Sequence, residues 1–178
     1  MTTRLIPTPL PGVFVLRSEP ARDERGCFMR LSCVSTLAAH GIVFTSRQTS
    51  LSQSAHRGTL RGLHFQTPPS AETKIVHCVA GAVFDVALDL RPDSPTFRRS
   101  FSSELSACNG DGMLLAPGCA HGLLTLTDAA AVLYEIDCDY DPANATGVRW
   151  NDPAFAIAWP FPPTTISDRD ASWPDFPA

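Results

Sequence analysis

Sixteen prolines and eleven glycines cut this chain into short apolar runs, and that punctuation constrains the fold more than any other feature. Such runs suit strands joined by turns, as in an all-β sandwich or barrel. The chain has 178 residues, enough for one domain with a sizeable core, expected to span residues 1–178.

Strands are expected over residues 12–16 and 27–31, with Asp23-Glu-Arg-Gly26 as a turn. Residues 34–41 read as the one convincing helix, closed by Gly41 where a left-handed residue is cheap. Residues 43–54 read as strand, followed by a turn at Arg57-Gly58. Residues 74–79 and 82–90 predict a hairpin through Ala80-Gly81. On its second arm Val83, Asp85, Ala87 and Asp89 share one face, and Phe84, Val86, Leu88 and Leu90 share the other as core. Further strands are expected over 97–105, 113–116, 123–126 and 130–140, with Pro117-Gly-Cys-Ala-His-Gly122 as a tight corner. From Asp141 the chain is irregular and expected to wrap the outside. The fold expected is all-β, a cupin-like jelly-roll barrel with one or two short helices.

Within this frame one strand is chemically unusual. Arg61-Gly-Leu-His-Phe-Gln66 is apolar and β-prone yet carries a histidine and an arginine. Alternation puts Gly62, His64 and Gln66 on one face and Leu63 and Phe65 on the other. Arg61 would then point away from His64, unless a bulge intervenes. Lys74, Asp85, His121 and Tyr134 sit on other expected strands and could line the same pocket. Alone, each has a bland reading as a solvated, core or hydrogen-bonded residue. Inside a small barrel, ionisable side chains are either paired or used, because an unpaired buried charge is costly. Tyr134 and Tyr140 are six extended residues apart, roughly 20 Å, the reach of a long two-ended ligand such as a nucleotide sugar. His64, Glu72 and His121 form an imperfect metal set, since the position two after His64 is Gln66.

The remaining composition excludes some classes. A net charge of −4 with no basic run gives no footing on nucleic acid. Six cysteines without a C-x-x-C pair suit buried thiols in a reducing compartment. The opening MTTRLIPTPLPG, broken by three prolines, reads as neither signal peptide nor membrane span, which makes the cytoplasm the expected location.

Several motifs in order carry a resemblance. Arg61-Gly-Leu-His-Phe-Gln66, Lys74, Gly81-x-Val-Phe-Asp-Val86, Ser94-Pro-Thr-Phe97, Pro117-Gly-x-Ala-His-Gly122, Leu133-Tyr134, Arg149-Trp-Asn-Asp-Pro153 and Ser167-Asp-Arg-Asp170 resemble dTDP-4-dehydrorhamnose 3,5-epimerases, from about Gly12 to Asp170. The resemblance implies a cupin-fold homodimer that epimerises a 4-keto-6-deoxy nucleotide sugar without metal or other cofactor. It implies that His64 is the base that removes a proton next to the ketone, oriented by Asp170. Lys74 would stabilise the enolate oxygen, and Tyr134 would return a proton from the opposite face. For substrate binding it implies His121 near the reacting carbons, Arg25 and Arg61 at the phosphates and Tyr140 stacked on the base. Phe28, Gln48, Ser50, Asp85 and Arg169 complete the implied binding set. The sequence departs from the family pattern at Arg30, Ser50 and Ala145, all in the part that handles the nucleotide. Rival readings are a C3-only or C5-only epimerase, a 3,4-ketoisomerase, a metal-dependent cupin enzyme, and a non-catalytic sugar-nucleotide binding module.

Overall fold

The computed structural model describes residues 2–177, so the expected domain bounds at 1 and 178 lie outside the described residues. The strands are β1 (Thr3–Pro7), β2 (Phe14–Ser18), β3 (Ala21–Asp23), β4 (Gly26–Phe28), β5 (Gln48–Ser54), β6 (Leu60–Gln66) and β7 (Lys74–Ala80). They continue as β8 (Ala82–Asp89), β9 (Ser100–Ser106), β10 (Gly112–Leu115), β11 (Cys119–Thr125), β12 (Ala130–Ile136) and β13 (Ala145–Gly147). The helices are α1 (Val34–Ala39) and α2 (Asp168–Ala171). A six-stranded sheet runs in the order β1-β2-β10-β7-β12-β5 and a five-stranded sheet in the order β13-β6-β11-β8-β9, while β3 and β4 pair only with each other. The all-β, cupin-like jelly roll with two short helices is thus the observed architecture.

The alternating pattern of β8 explains how the sheets meet. Val83 and Ala87 enter a cluster with Val76, Cys78 and Val132 from the facing sheet. Val86 and Leu88 point the other way and are equally buried, under Val148 and Phe155 of the C-terminal segment. Both faces of β8 are therefore core, not one. The outer face of the six-stranded sheet is closed by α1, whose one buried residue, Leu37, packs with Leu5, Leu16, Ile75 and Leu114. That helix ends as expected: Gly41 has φ +73°, its N–H donates to Ala38 and the N–H of Ile42 donates to Leu37. Leu37→Ala would cost about 2–5 kcal/mol, because nothing else on α1 fills that space.

The structure corrects the expected hairpin at residues 74–90. β7 pairs with β10 and β12, and β8 pairs with β11 and β9, so consecutive strands lie in opposite sheets. Gly81, at φ +67°, turns a corner from one sheet to the other, and a Cβ there would collide with the Thr127 hydroxyl. Alternation cannot distinguish such a corner from a hairpin, since each strand buries one face toward the same interior. Other boundaries shift. β1 was not anticipated, β4 and β5 are shorter than the expected runs, β12 stops at Ile136, and Cys119 to Gly122 belong to a strand. Among the described residues, no helix is long and apolar enough to cross a membrane.

Candidate active site

The site begins with a misalignment of two strands. His64 lies opposite His121 and Arg61 opposite Leu123, so β6 advances three residues while β11 advances two. The extra residue is a bulge, which brings Arg61 round to the side of His64, as strict alternation would have forbidden. Gly62 occupies it at φ +124°, with the backbone of His121 and Gly122 filling the space a Cβ would need.

Arg61, His64, Lys74, His121, Tyr134 and Asp170 line one cavity of about 640 Å³ between the sheets. An adjoining cavity of about 300 Å³ shares His64, Lys74 and Arg169 and extends past Gln48, Ser50, Ala145 and Tyr140. The two form a single two-lobed cleft. β6 and β11 of the five-stranded sheet supply His64 and His121, while β7 and β12 of the facing sheet supply Lys74 and Tyr134.

Two histidine–carboxylate pairs hold the imidazoles. His64 Nε2 is 2.6 Å from Asp170 Oδ1, with the carboxylate 6% exposed and the imidazole 41% exposed. Asp170 is delivered by α2, where Ser167 caps the helix by accepting from the Asp170 N–H. Burial pushes the Asp170 carboxyl up, but hydrogen bonds from His64 and the Gly62 N–H outweigh it and hold the group below its ordinary range. His121 Nε2 is 2.8 Å from Asp85 Oδ1. Asp85 is fully buried and lines neither lobe; it backs His121 and does not reach the cleft, contrary to its expected place in the binding set. Burial, reinforced by the Asp85 charge, raises the Tyr134 phenol, which stays protonated at neutral pH.

Lys74 is almost buried, its Nζ 2.7 Å from Glu72 Oε1 and donating at 3.3 Å to the His64 carbonyl. This pair lies outside the expected set, in which Glu72 stands only as a metal ligand. The signal was present, since two residues spaced i, i+2 in an extended segment share a face. Among the described residues, no three metal-ligating side chains converge.

Arg25 and Phe28 lie apart from the other expected binding residues within the chain. They lie on the β3–β4 hairpin, beside a separate cavity of about 460 Å³. Arg25 pairs with Asp23 two residues away, and Phe28 is 64% exposed. Neither sheet pairs with this hairpin, so nothing draws it toward the cleft of its own chain. Arg61 is fixed by donating to Ser54 Oγ and the Gln53 carbonyl, Gln48 donates to the Cys138 carbonyl, and Tyr140 is mostly exposed at the mouth of the second lobe.

Barrel and cleft together define the class: a cupin-like jelly roll with titratable groups facing one another across two sheets. Comparison with known proteins makes this specific. The family model described as dTDP-4-dehydrorhamnose 3,5-epimerase matches residues 7–178. A dTDP-4-dehydrorhamnose 3,5-epimerase of Salmonella typhimurium is 37% identical, covering 96% of this chain and 93% of its own. A dTDP-4-dehydrorhamnose 3-epimerase of Streptomyces niveus is 38% identical, covering 94% and 81%. The crystal structure of a dTDP-4-dehydrorhamnose 3,5-epimerase from Bacillus anthracis, with TDP and PPi bound, superposes with a TM-score of 0.94 at 37% identity, covering 98% of this chain and 100% of that one. The chain belongs to the dTDP-4-dehydrorhamnose 3,5-epimerase family.

Proposed function

We propose that the cleft epimerises a 4-keto-6-deoxy sugar carried on a nucleoside diphosphate, by proton removal next to the ketone and reprotonation from the other side. The observation that carries this reading is the division of labour between sheets: His64 comes from one and Tyr134 from the other. Inversion at carbon needs two proton-transfer groups on opposite faces of a flat enolate, and a planar intermediate between the sheets meets both.

The ketone makes the hydrogens at C3 and C5 acidic. With His64 Nε2 turned to Asp170, Nδ1 carries the lone pair that takes the proton, and the Asp170 carboxylate stabilises the imidazolium. Lys74 Nζ faces the charge that develops on the ketone oxygen. Tyr134 gives its phenolic proton to the opposite face and recovers one from solvent, while the His64 imidazolium releases its proton to solvent. His121, seated by Asp85, hydrogen-bonds the sugar in the same lobe. Arg61 and Arg169 contact phosphate, and Gln48, Ser50 and Tyr140 hold the nucleotide in the second lobe.

The reaction needs no metal, since Lys74 supplies the positive charge. The single domain works in the cytoplasm as a homodimer. The cysteines are all unpaired, which suits that compartment. The β3–β4 hairpin, clear of its own cleft, offers Arg25 and Phe28 to a second subunit. Sedimentation of a monomer would remove that part of the reading.

The test is incubation with dTDP-4-dehydro-6-deoxyglucose in D2O, counting deuterons by mass spectrometry and locating them by NMR. Deuterium at C3 and C5 with inverted product is expected, and no incorporation at either carbon would sink the reading. Incorporation at C3 alone would favour the second reading, a C3 epimerase, for which the Streptomyces niveus relative speaks.

A further inference from the structure

Lys74 is the only lysine in the chain, and thirteen arginines supply every other basic side chain except the histidines. Its ammonium is nearly buried, and the carboxylate beside it, on Glu72, is 7% exposed. No step proposed above uses Glu72. Both of its oxygens are nevertheless committed: Oε1 accepts from Lys74 Nζ at 2.7 Å and Oε2 accepts from Gln66 Nε2 at 2.7 Å.

Gln66 is itself held from several sides. Its Nε2 is shared with the carbonyls of Ser70 at 3.1 Å and Asp139 at 3.2 Å, and its Oε1 accepts from the Asp141 N–H at 2.6 Å. A lysine head group on a flexible four-carbon stem ordinarily samples many rotamers. Here the chain Asp141–Gln66–Glu72–Lys74 ties it to the barrel wall, and the His64 carbonyl holds it from the other side. A buried ion pair of this kind is weak evidence for stability, because desolvation offsets most of the attraction. Its geometric effect is firmer: it leaves the ammonium one place to stand.

We propose that Glu72 is a positioning residue. Anchored by Gln66, its carboxylate sets where the chain's only lysine ammonium stands in the cleft. What that ammonium does rests on the epimerase reading above; where it stands does not.

One lysine per chain makes the test direct. With 15N-lysine labelling, the protein gives a single side-chain ammonium signal. That signal is expected in the unmodified protein, where hydrogen bonding slows proton exchange with water. It should weaken in Glu72→Gln, which keeps an amide oxygen for Nζ but turns an NH2 toward the Gln66 Nε2 donor, and vanish in Glu72→Leu. In the deuterium assay, kcat of Glu72→Leu should fall about 10²-fold, the effect of a misplaced catalytic group, with KM nearly unchanged. Glu72→Gln should recover part of it, since it keeps an oxygen for Nζ and loses the acceptor for Gln66. Lys74→Met should be equally slow with or without Glu72→Leu, because a residue that acts through Lys74 has nothing left to position.

An ammonium signal unchanged in Glu72→Leu would overturn the proposal whether or not the protein turns over substrate. Equal slowing by Glu72→Leu in the Lys74→Met background would overturn it too, by showing an action independent of Lys74. Absence of exchange in the unmodified protein would count against the epimerase reading alone, and the ammonium signal would still decide the position. If Glu72→Leu does not fold, Glu72→Ser, too short to reach Nζ, takes its place with the same expectations.

Discussion

Tyr134 meets His121 edge to face, with ring centroids 5.6 Å apart and planes at 77°. The phenol of one sheet is thereby braced against the imidazole of the other, which the buried carboxylate of Asp85 fixes from behind. The brace acts on the ring and not on the hydroxyl, so ring and hydroxyl can be separated by mutation.

Tyr134→Phe keeps the ring and its packing. His64 still removes the proton and returns it to the face it came from. The variant is therefore expected to exchange hydrogen for deuterium while forming far less inverted product. Inversion at the unmodified rate would take Tyr134 out of the mechanism.

His64→Ala should abolish deuterium wash-in at both C3 and C5, since loss of a placed general base costs on the order of 10²–10⁴-fold. Circular dichroism and melting control for folding. Substantial residual exchange at either carbon would place the base elsewhere.

Exhaustive chelation should leave turnover intact. In the proposed reaction the enolate charge falls to the Lys74 ammonium, and His64, His121 and Glu72 are each engaged with another side chain. A loss that added Fe, Mn or Zn restores would favour the metal-dependent alternative.

Acid stability should depend on His77. Burial lowers its imidazole to about 4, while the Leu31 carbonyl and Asp111 pull weakly the other way. The unfolded chain binds a proton near pH 6.5, but the folded protein takes it up only near 4. Stability should thus be full above about pH 6.5 and decline as pH falls toward about 4, by about 3 kcal/mol in all. Urea melts of the protein and of His77→Leu across this window are the check. An identical slope in the variant would assign the loss to other groups.

Much of this was legible in the residues, and the limits have physical causes. The alternation of Val83 through Asp89 placed each side chain on its correct face, because a strand between two apolar layers has no other solution. The partner sheet was not legible, since the corner at Gly81 and a hairpin turn call for the same glycine. Arg61 required a bulge to reach His64, and the register between β6 and β11 supplies it. The pairs His64–Asp170 and His121–Asp85 bridge 106 and 36 residues. Spacing alone predicts no such contact, and Asp170 stood out only through the family resemblance. Glu72–Lys74 is the opposite case, a local signal passed over because the acid was judged as a ligand and not as a neighbour.

The delivery of Asp170 by α2 has a consequence in time. Every strand of both sheets precedes α2 in the chain. On the ribosome the barrel can close, and the cleft can acquire His64, Lys74, His121 and Tyr134, while Asp170 is still in the exit tunnel. The pairing of His64 with its carboxylate thus follows every strand in chain order. A nascent or clipped barrel would hold its pocket open with an unharnessed imidazole.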